Sequence, residues 1–159
     1  MDRAELMKCL SEIIGCKLTG FSLACEMMMF DFNKYVIHSQ CLTRVVKNGD
    51  ILFTTLDYQS WDGNVGSNND LCFFKDKYCN EIIGGSVLSA ELLTVNDLKV
   101  VLDNKITIEL FISNGYHHYD GENEQWRLIK KNPEHNPSRN GKEFSLFHIV
   151  VNNKSIEVI

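Results

Sequence analysis

The sequence predicts an α+β domain in which a helix followed by an antiparallel β-meander occurs twice. Three observations carry that reading. Asn48-Gly49 sits between two β-branched and aromatic runs, YVIHSQCLTRVV and ILFTTLDY, the strongest short-range signal for a hairpin. Leu6, Leu10, Ile13 and Ile14, and later Leu71, Phe74, Tyr78 and Ile82, recur at helical spacing, and each series stops at glycine. Gly20-Phe21-Ser22-Leu23 and Gly84-Gly85-Ser86-Val87 open the stretches of β character that follow. Two pseudo-repeat halves, about 1–69 and 70–159, thus share a plan within a single domain. The expected architecture is a highly curved sheet, or two sheets, with the helices on one side.

The first helix spans 2–14, with Asp2 as N-cap and Glu5 completing a capping box. From Phe21 the period changes. The run 21–32, turned by Asn33-Lys34, leads into 35–46, and Asn48-Gly49 turns it into 51–58, a three-stranded meander. The segment QSWDGNVGSNN at 59–69 is a loop by composition. A short helix over 71–83 follows, capped by Asn69 or Asp70 and ended by Gly84-Gly85. Strands are then expected at 86–93, at 98–102 and 106–112 around Asp103-Asn104, at 126–130, and at 144–151 and 155–158 around Asn152-Asn153. Polar connections fill 113–123 and 132–142.

Composition narrows the function classes. The chain has 159 residues, is 44% hydrophobic and 23% charged, and carries a net charge of −5. The acidity is shared by both halves, so a nucleic acid is not the expected direct partner, whereas a basic protein is. No apolar run is long enough for a membrane span, and the first residues lack the apolar core of a signal peptide. Six cysteines without a Cys-x-x-Cys pair then read as free thiols in a reducing cytoplasm. No cofactor or metal is expected. His117-His118 lacks the spacing of a ligand pair and a visible third ligand, and no phosphate loop, dinucleotide fingerprint or nucleophile elbow is present.

Two groups of residues stand out. With Lys47 opposite Asp50, the hairpin register places Arg44 opposite Phe53 and Gln40 opposite Asp57. His38, Gln40, Arg44 and Asp57 then share one face. That row is expected to be a structural polar network, or alternatively a small-molecule site. No nucleophile completes it, so no catalytic residue is assigned. The second group lies in the long loops: Trp61 and Asp62, then Asp120, Glu122 and Glu124. Acids mixed with aromatics suit a basic protein partner, the charges steering encounter and the rings anchoring it.

Tyr35-x-x-His38-x-Gln40-Cys41-x-x-Arg44 followed by Asp57, together with Ile83-Gly84-Gly85-Ser86-Val87, Glu124-Gln125-Trp126-Arg127-Leu128 and His148-Ile149-Val150-Val151, resembles a family of small bacterial proteins. Such proteins are similar to the immunity proteins of toxin systems, including contact-dependent growth inhibition. The resemblance implies a cytoplasmic binding protein without cofactors, whose partner is a cognate toxin domain. The acidic balance suits a basic toxin such as a nuclease. No toxin-contact residue carries over by motif.

Overall fold

The computed structural model describes residues 1–113, 123–134 and 145–159. Helix α1 (Arg3–Ser11) begins with the capping box expected from the sequence. The Glu5 N–H donates to the Asp2 carboxylate at 2.9 Å, and the Asp2 N–H donates to the Glu5 carboxylate at 3.0 Å, which satisfies two donors that a helix start leaves open. Helix α2 (Asp70–Ile82) is capped by Asn69, whose side-chain oxygen accepts from the Cys72 N–H at 2.9 Å. Its last turn is closed from outside. The Asn104 carboxamide donates to the carbonyls of Glu81 and Ile82 at 3.0 and 3.1 Å.

Eleven strands are described, in two antiparallel sheets. They are β1 (Gly20–Ala24), β2 (Met27–Phe32), β3 (Tyr35–Ser39), β4 (Leu42–Lys47), β5 (Asp50–Thr54), β6 (Val87–Leu92), β7 (Leu98–Leu102), β8 (Ile106–Phe111), β9 (Glu124–Lys131), β10 (Ser145–Asn152) and β11 (Ile156–Val158). The first sheet has the order β1-β2-β3-β9-β10-β11, the second β5-β4-β8-β7-β6. Alternate residues of both sheets enter one hydrophobic cluster: Phe30, Ile37, Trp126 and Leu128 from the first, Val45, Phe53, Val100 and Ile108 from the second. Helix α1 packs against β6, and α2 against β5 and β1. The helices therefore contact the two edge strands of the second sheet, β6 and β5. Glu12, just beyond α1, accepts from the Tyr35 hydroxyl and from the Lys130 ammonium at 3.1 Å, tying that helix to the first sheet.

The expected three-stranded meander is broken in two places. The run 21–32 folds back at Cys25-Glu26, where Cys25 adopts a φ of +54°. The run 35–46 breaks at Gln40-Cys41, and β4 continues in the other sheet. The turn at Asn48-Gly49 forms as read, with φ of +53° and +88°, but the register beyond it does not hold. A bulge slips the pairing, so Val46 faces Ile51 whereas Val45 faces Phe53 and Arg44 faces Thr54. Burial explains the slip. In an unbroken register Phe53 shares the outer face with Arg44, and the extra residue turns that ring into the core, where it is 1% exposed. The segment beyond Thr54 is a 3-10 helix (Thr55–Ser60), not strand.

Gly85 lies directly under the Asn104 carboxamide, and a Cβ there would meet Asn104 Oδ1 at 2.4 Å. Gly85→Ala is expected to cost about 1–3 kcal/mol, because the carboxamide must leave the carbonyls that end α2. Asn104→Ala removes the same closure, so urea unfolding of the double variant is expected to show less than the sum of the two losses.

Candidate functional site

The polar row expected on one hairpin face is dispersed by the strand break and the bulge. His38 stays in the first sheet, opposite Met29 and Arg127. Arg44 lies in the second, where its guanidinium donates to Glu109 at 2.6 Å and sits 4.7 Å from the centre of the Phe111 ring. Asp57 caps the 3-10 helix by accepting from the Thr54 N–H at 2.7 Å. Gln40 and Asp57 are not strand partners. The Gln40 carboxamide instead donates to Glu124 at 2.7 Å.

That contact belongs to a cleft of about 790 Å³ where the two sheets separate. Its lining comes from the β1–β2 turn (Cys25, Glu26, Met27), the β3–β4 crossing (Gln40, Cys41, Leu42), Ser113 beyond β8, and the start of β9 (Glu124, Gln125, Arg127). Arg127 grips Glu124 with two bonds of 2.6 Å, from Nε to Oε1 and from Nη2 to Oε2. In a regular strand, residues three apart point to opposite faces. Here Trp126 pairs with Val151 and Glu124 with Asn152, so Gln125 is the extra residue of a bulge that returns Glu124 to the face of Arg127. In the sequence Glu124 reads as part of the acidic loop, and nothing in the spacing marks Arg127 as its partner. Two adjacent buried side chains, Gln125 and Trp126, are the mark of this bulge.

Gln125 fixes the geometry of the cleft. Its backbone carbonyl accepts from the N–H groups of both Gln40 and Cys41, at 2.8 and 3.0 Å. Its buried side chain accepts from the Ser113 N–H at 2.8 Å and donates to the Asn123 carbonyl at 3.3 Å. Burial pushes the Cys41 thiol up to about 11, against the opposing effect of the Ser39 hydroxyl 3.4 Å away. A thiol held protonated at neutral pH is a poor nucleophile.

A second surface surrounds the loop 61–69. Trp61, Val65 and Phe73 are exposed by 41%, 58% and 61%. The indole N–H of Trp61 donates to the Val65 carbonyl at 2.8 Å, and the Trp61 ring lies 5.8 Å from that of Tyr58. Phe73 borders a depression of about 470 Å³ shared with Ser60, Asn68, Asp70 and Asp76. Asp62 organises the loop. Its carboxylate accepts from the N–H groups of Asn64 and Val65 and from the Asn68 carboxamide, at 2.9, 3.2 and 2.6 Å, and these bonds, the Asn64 amide first, hold its pKa below the usual carboxylate range. Residues 48–74 contain four acids, Asp50, Asp57, Asp62 and Asp70, and no Lys or Arg. Trp61 and Asp62, paired in the sequence reading, are therefore neighbours on one ordered face, whereas Glu124 lies in the cleft. Asp120 and Glu122, with His117 and His118, fall outside the described residues.

Among the described residues, no group of three or more His, Cys, Asp or Glu could hold a metal ion, and no helix is long and apolar enough to cross a membrane. No protein-family model, curated protein or solved structure matches the chain.

Two outcomes follow from the site's electrostatics. Burial first, and the Arg127 charge second, lower the His38 pKa below its usual 6.5, with Glu124 opposing. The unfolded chain therefore takes the proton more readily. Neutral His38 contributes stability above about pH 6.5, and that contribution is lost as pH falls through the lower folded value. Urea midpoints are expected to fall more steeply between pH 7 and 5 in the wild type than in His38→Gln. Exposed Cys25 is expected to react with a thiol reagent in the native protein, whereas Cys41 reacts only after unfolding, as mass mapping of the labelled peptides would reveal.

Proposed function

We propose that this chain is a binding protein that neutralises a basic toxin domain of the nuclease kind, as the immunity proteins it resembles do. The observation that carries the reading is the exposed Trp61–Val65–Phe73 surface, set in a stretch with four acids and no Lys or Arg. Aromatic anchors supply most of the affinity of an interface, and surrounding charge supplies the rate of encounter. A nuclease binds phosphates through an electropositive surface, which an acidic face complements. The hydrogen bonds that fix Asp62 and Trp61 prepare this face before contact, which lowers the ordering cost of binding. Asp120 and Glu122 belong to the proposal by charge alone. The reading places the protein in the cytoplasm and assigns it no reaction and no cofactor.

We also read the fold as a duplication. The orders β1-β2-β3-β9-β10 and β6-β7-β8-β4-β5 are the same when the halves are exchanged, and an antiparallel bridge joins Lys17 to Ser86, just ahead of the two meanders. A small-molecule module is the second reading, favoured by the volume of the cleft instead of by the dispersed His38, Gln40, Arg44 and Asp57. A thermal-shift screen separates the two, since a specific small ligand raises the melting temperature.

The direct test measures binding to a basic nuclease-type toxin domain, taken from the neighbouring gene if that gene encodes one. Trp61→Ala is expected to weaken the complex by about 2 kcal/mol, mainly through faster dissociation. Asp70→Asn is expected to slow association at low salt and to leave dissociation unchanged. No association at micromolar concentration, or wild-type affinity in Trp61→Ala, would contradict the proposal.

A further inference from the structure

The cleft beside Gln125 has an unbalanced set of hydrogen-bonding groups. Glu124 is held in place by Arg127 and Gln40, so the charges of that pair offset each other. Glu26, at the turn between β1 and β2, lines the same cleft. No hydrogen bond or ion pair joins it to a cation among the described residues. Among the described residues the lining thus carries one acid, the exposed Glu26, beyond the Glu124–Arg127 pair. The Gln40 amide oxygen adds a neutral acceptor, since the bond to Glu124 uses only its nitrogen. A cleft of about 790 Å³ has room for a long side chain entering from outside. The cleft neighbours the acid–aromatic face through Cys25 and Tyr58. Tyr58, which packs on Trp61, has its hydroxyl raised by burial first and by the adjacent Cys25 thiol next, and Cys25 lines the cleft.

We infer that this cleft is a receptor for an arginine side chain presented by the basic partner. The inference rests on the partner reading above and names what that partner inserts. A guanidinium presents a planar fork of five donors, which suits a carboxylate and an amide oxygen at separate points of the lining. It is also weakly hydrated, so entry into a half-enclosed space removes less solvation than for an ammonium. Glu26 is the charge that selects it, and the Glu124–Arg127–Gln40 cluster is the rigid wall against which it lies.

Two probes separate this inference from the reading it rests on. The first is N-acetyl-arginine amide, titrated into the ¹⁵N-labelled protein beside its uncharged citrulline counterpart. The arginine compound is expected to shift the resonances of Glu26, Gln40 and Gln125, including the two side-chain carboxamides, and the citrulline compound to leave them in place. Glu26→Gln, whose melting temperature is expected to match the wild type, should weaken the arginine compound by about tenfold. Equal shifts from both compounds, shifts confined to residues outside the cleft, or undiminished binding to Glu26→Gln would overturn the inference. The second probe is the toxin domain itself. If Trp61→Ala weakens that complex and Glu26→Gln does not, the arginine receptor is wrong and the acid–aromatic face stands. If the toxin domain fails to bind while the arginine compound binds as described, the partner reading is wrong and the arginine receptor stands.

Discussion

The carbonyl of Gln125 accepts from the N–H groups of Gln40 and Cys41 together, and the architecture turns on that shared acceptor. At this point the chain leaves the first sheet and enters the second, so two consecutive amides, one of them on buried Cys41, lose their ladder partners. An unpaired buried N–H costs about 1–3 kcal/mol, and one bulged residue on β9 satisfies both. The same residue uses its side chain to hold the Ser113 N–H at the end of β8. Two strands leaving different sheets are thus tied to a third. The consequence is a sandwich with an open seam on one side, and the cleft is that seam.

The same bulge shapes the chemistry of the cleft. Without it, Glu124 and Arg127 would point to opposite faces of the first sheet, and Gln40 would have no carboxylate to meet. With it, three polar side chains converge at 2.6–2.7 Å. The Arg44–Glu109 pair on the second sheet shows the contrasting case. It belongs to a cross-strand ladder in which Lys99 faces Glu109 and Glu91 faces Lys99, alternating charges that suit a wet sheet face and leave no acid unbalanced.

Local chemistry was legible in the sequence, and long-range pairing was not. The capping box at Asp2 and Glu5, the Asn69 cap and the Asn48-Gly49 turn depend on residues within a few positions, and each forms as read. Which strands share a sheet depends on contacts between residues far apart, such as Gln40 with Gln125. The lost register has a similar origin. Three consecutive apolar residues, Ile51, Leu52 and Phe53, cannot alternate, and the core claims Phe53 by slipping the pair. The strand alternation that suggested a polar row was therefore overridden by the burial of one aromatic ring. The acid–aromatic loop fared differently, because Asp62 and Trp61 make their bonds within the loop itself.

Function, on this account, divides between two adjoining surfaces: an ordered acidic loop with exposed rings, and a polar seam held open by Gln125. Hydrogen exchange of the protein, alone and with the basic nuclease-type toxin domain proposed as its partner, tests that division most directly. The account predicts added protection in two places, residues 56–74 and the seam segments 24–27, 40–42 and 123–127, with β10 and β11 unchanged. Protection confined to β10 and β11, or to the outer face of the second sheet around Arg44 and Glu109, would contradict it.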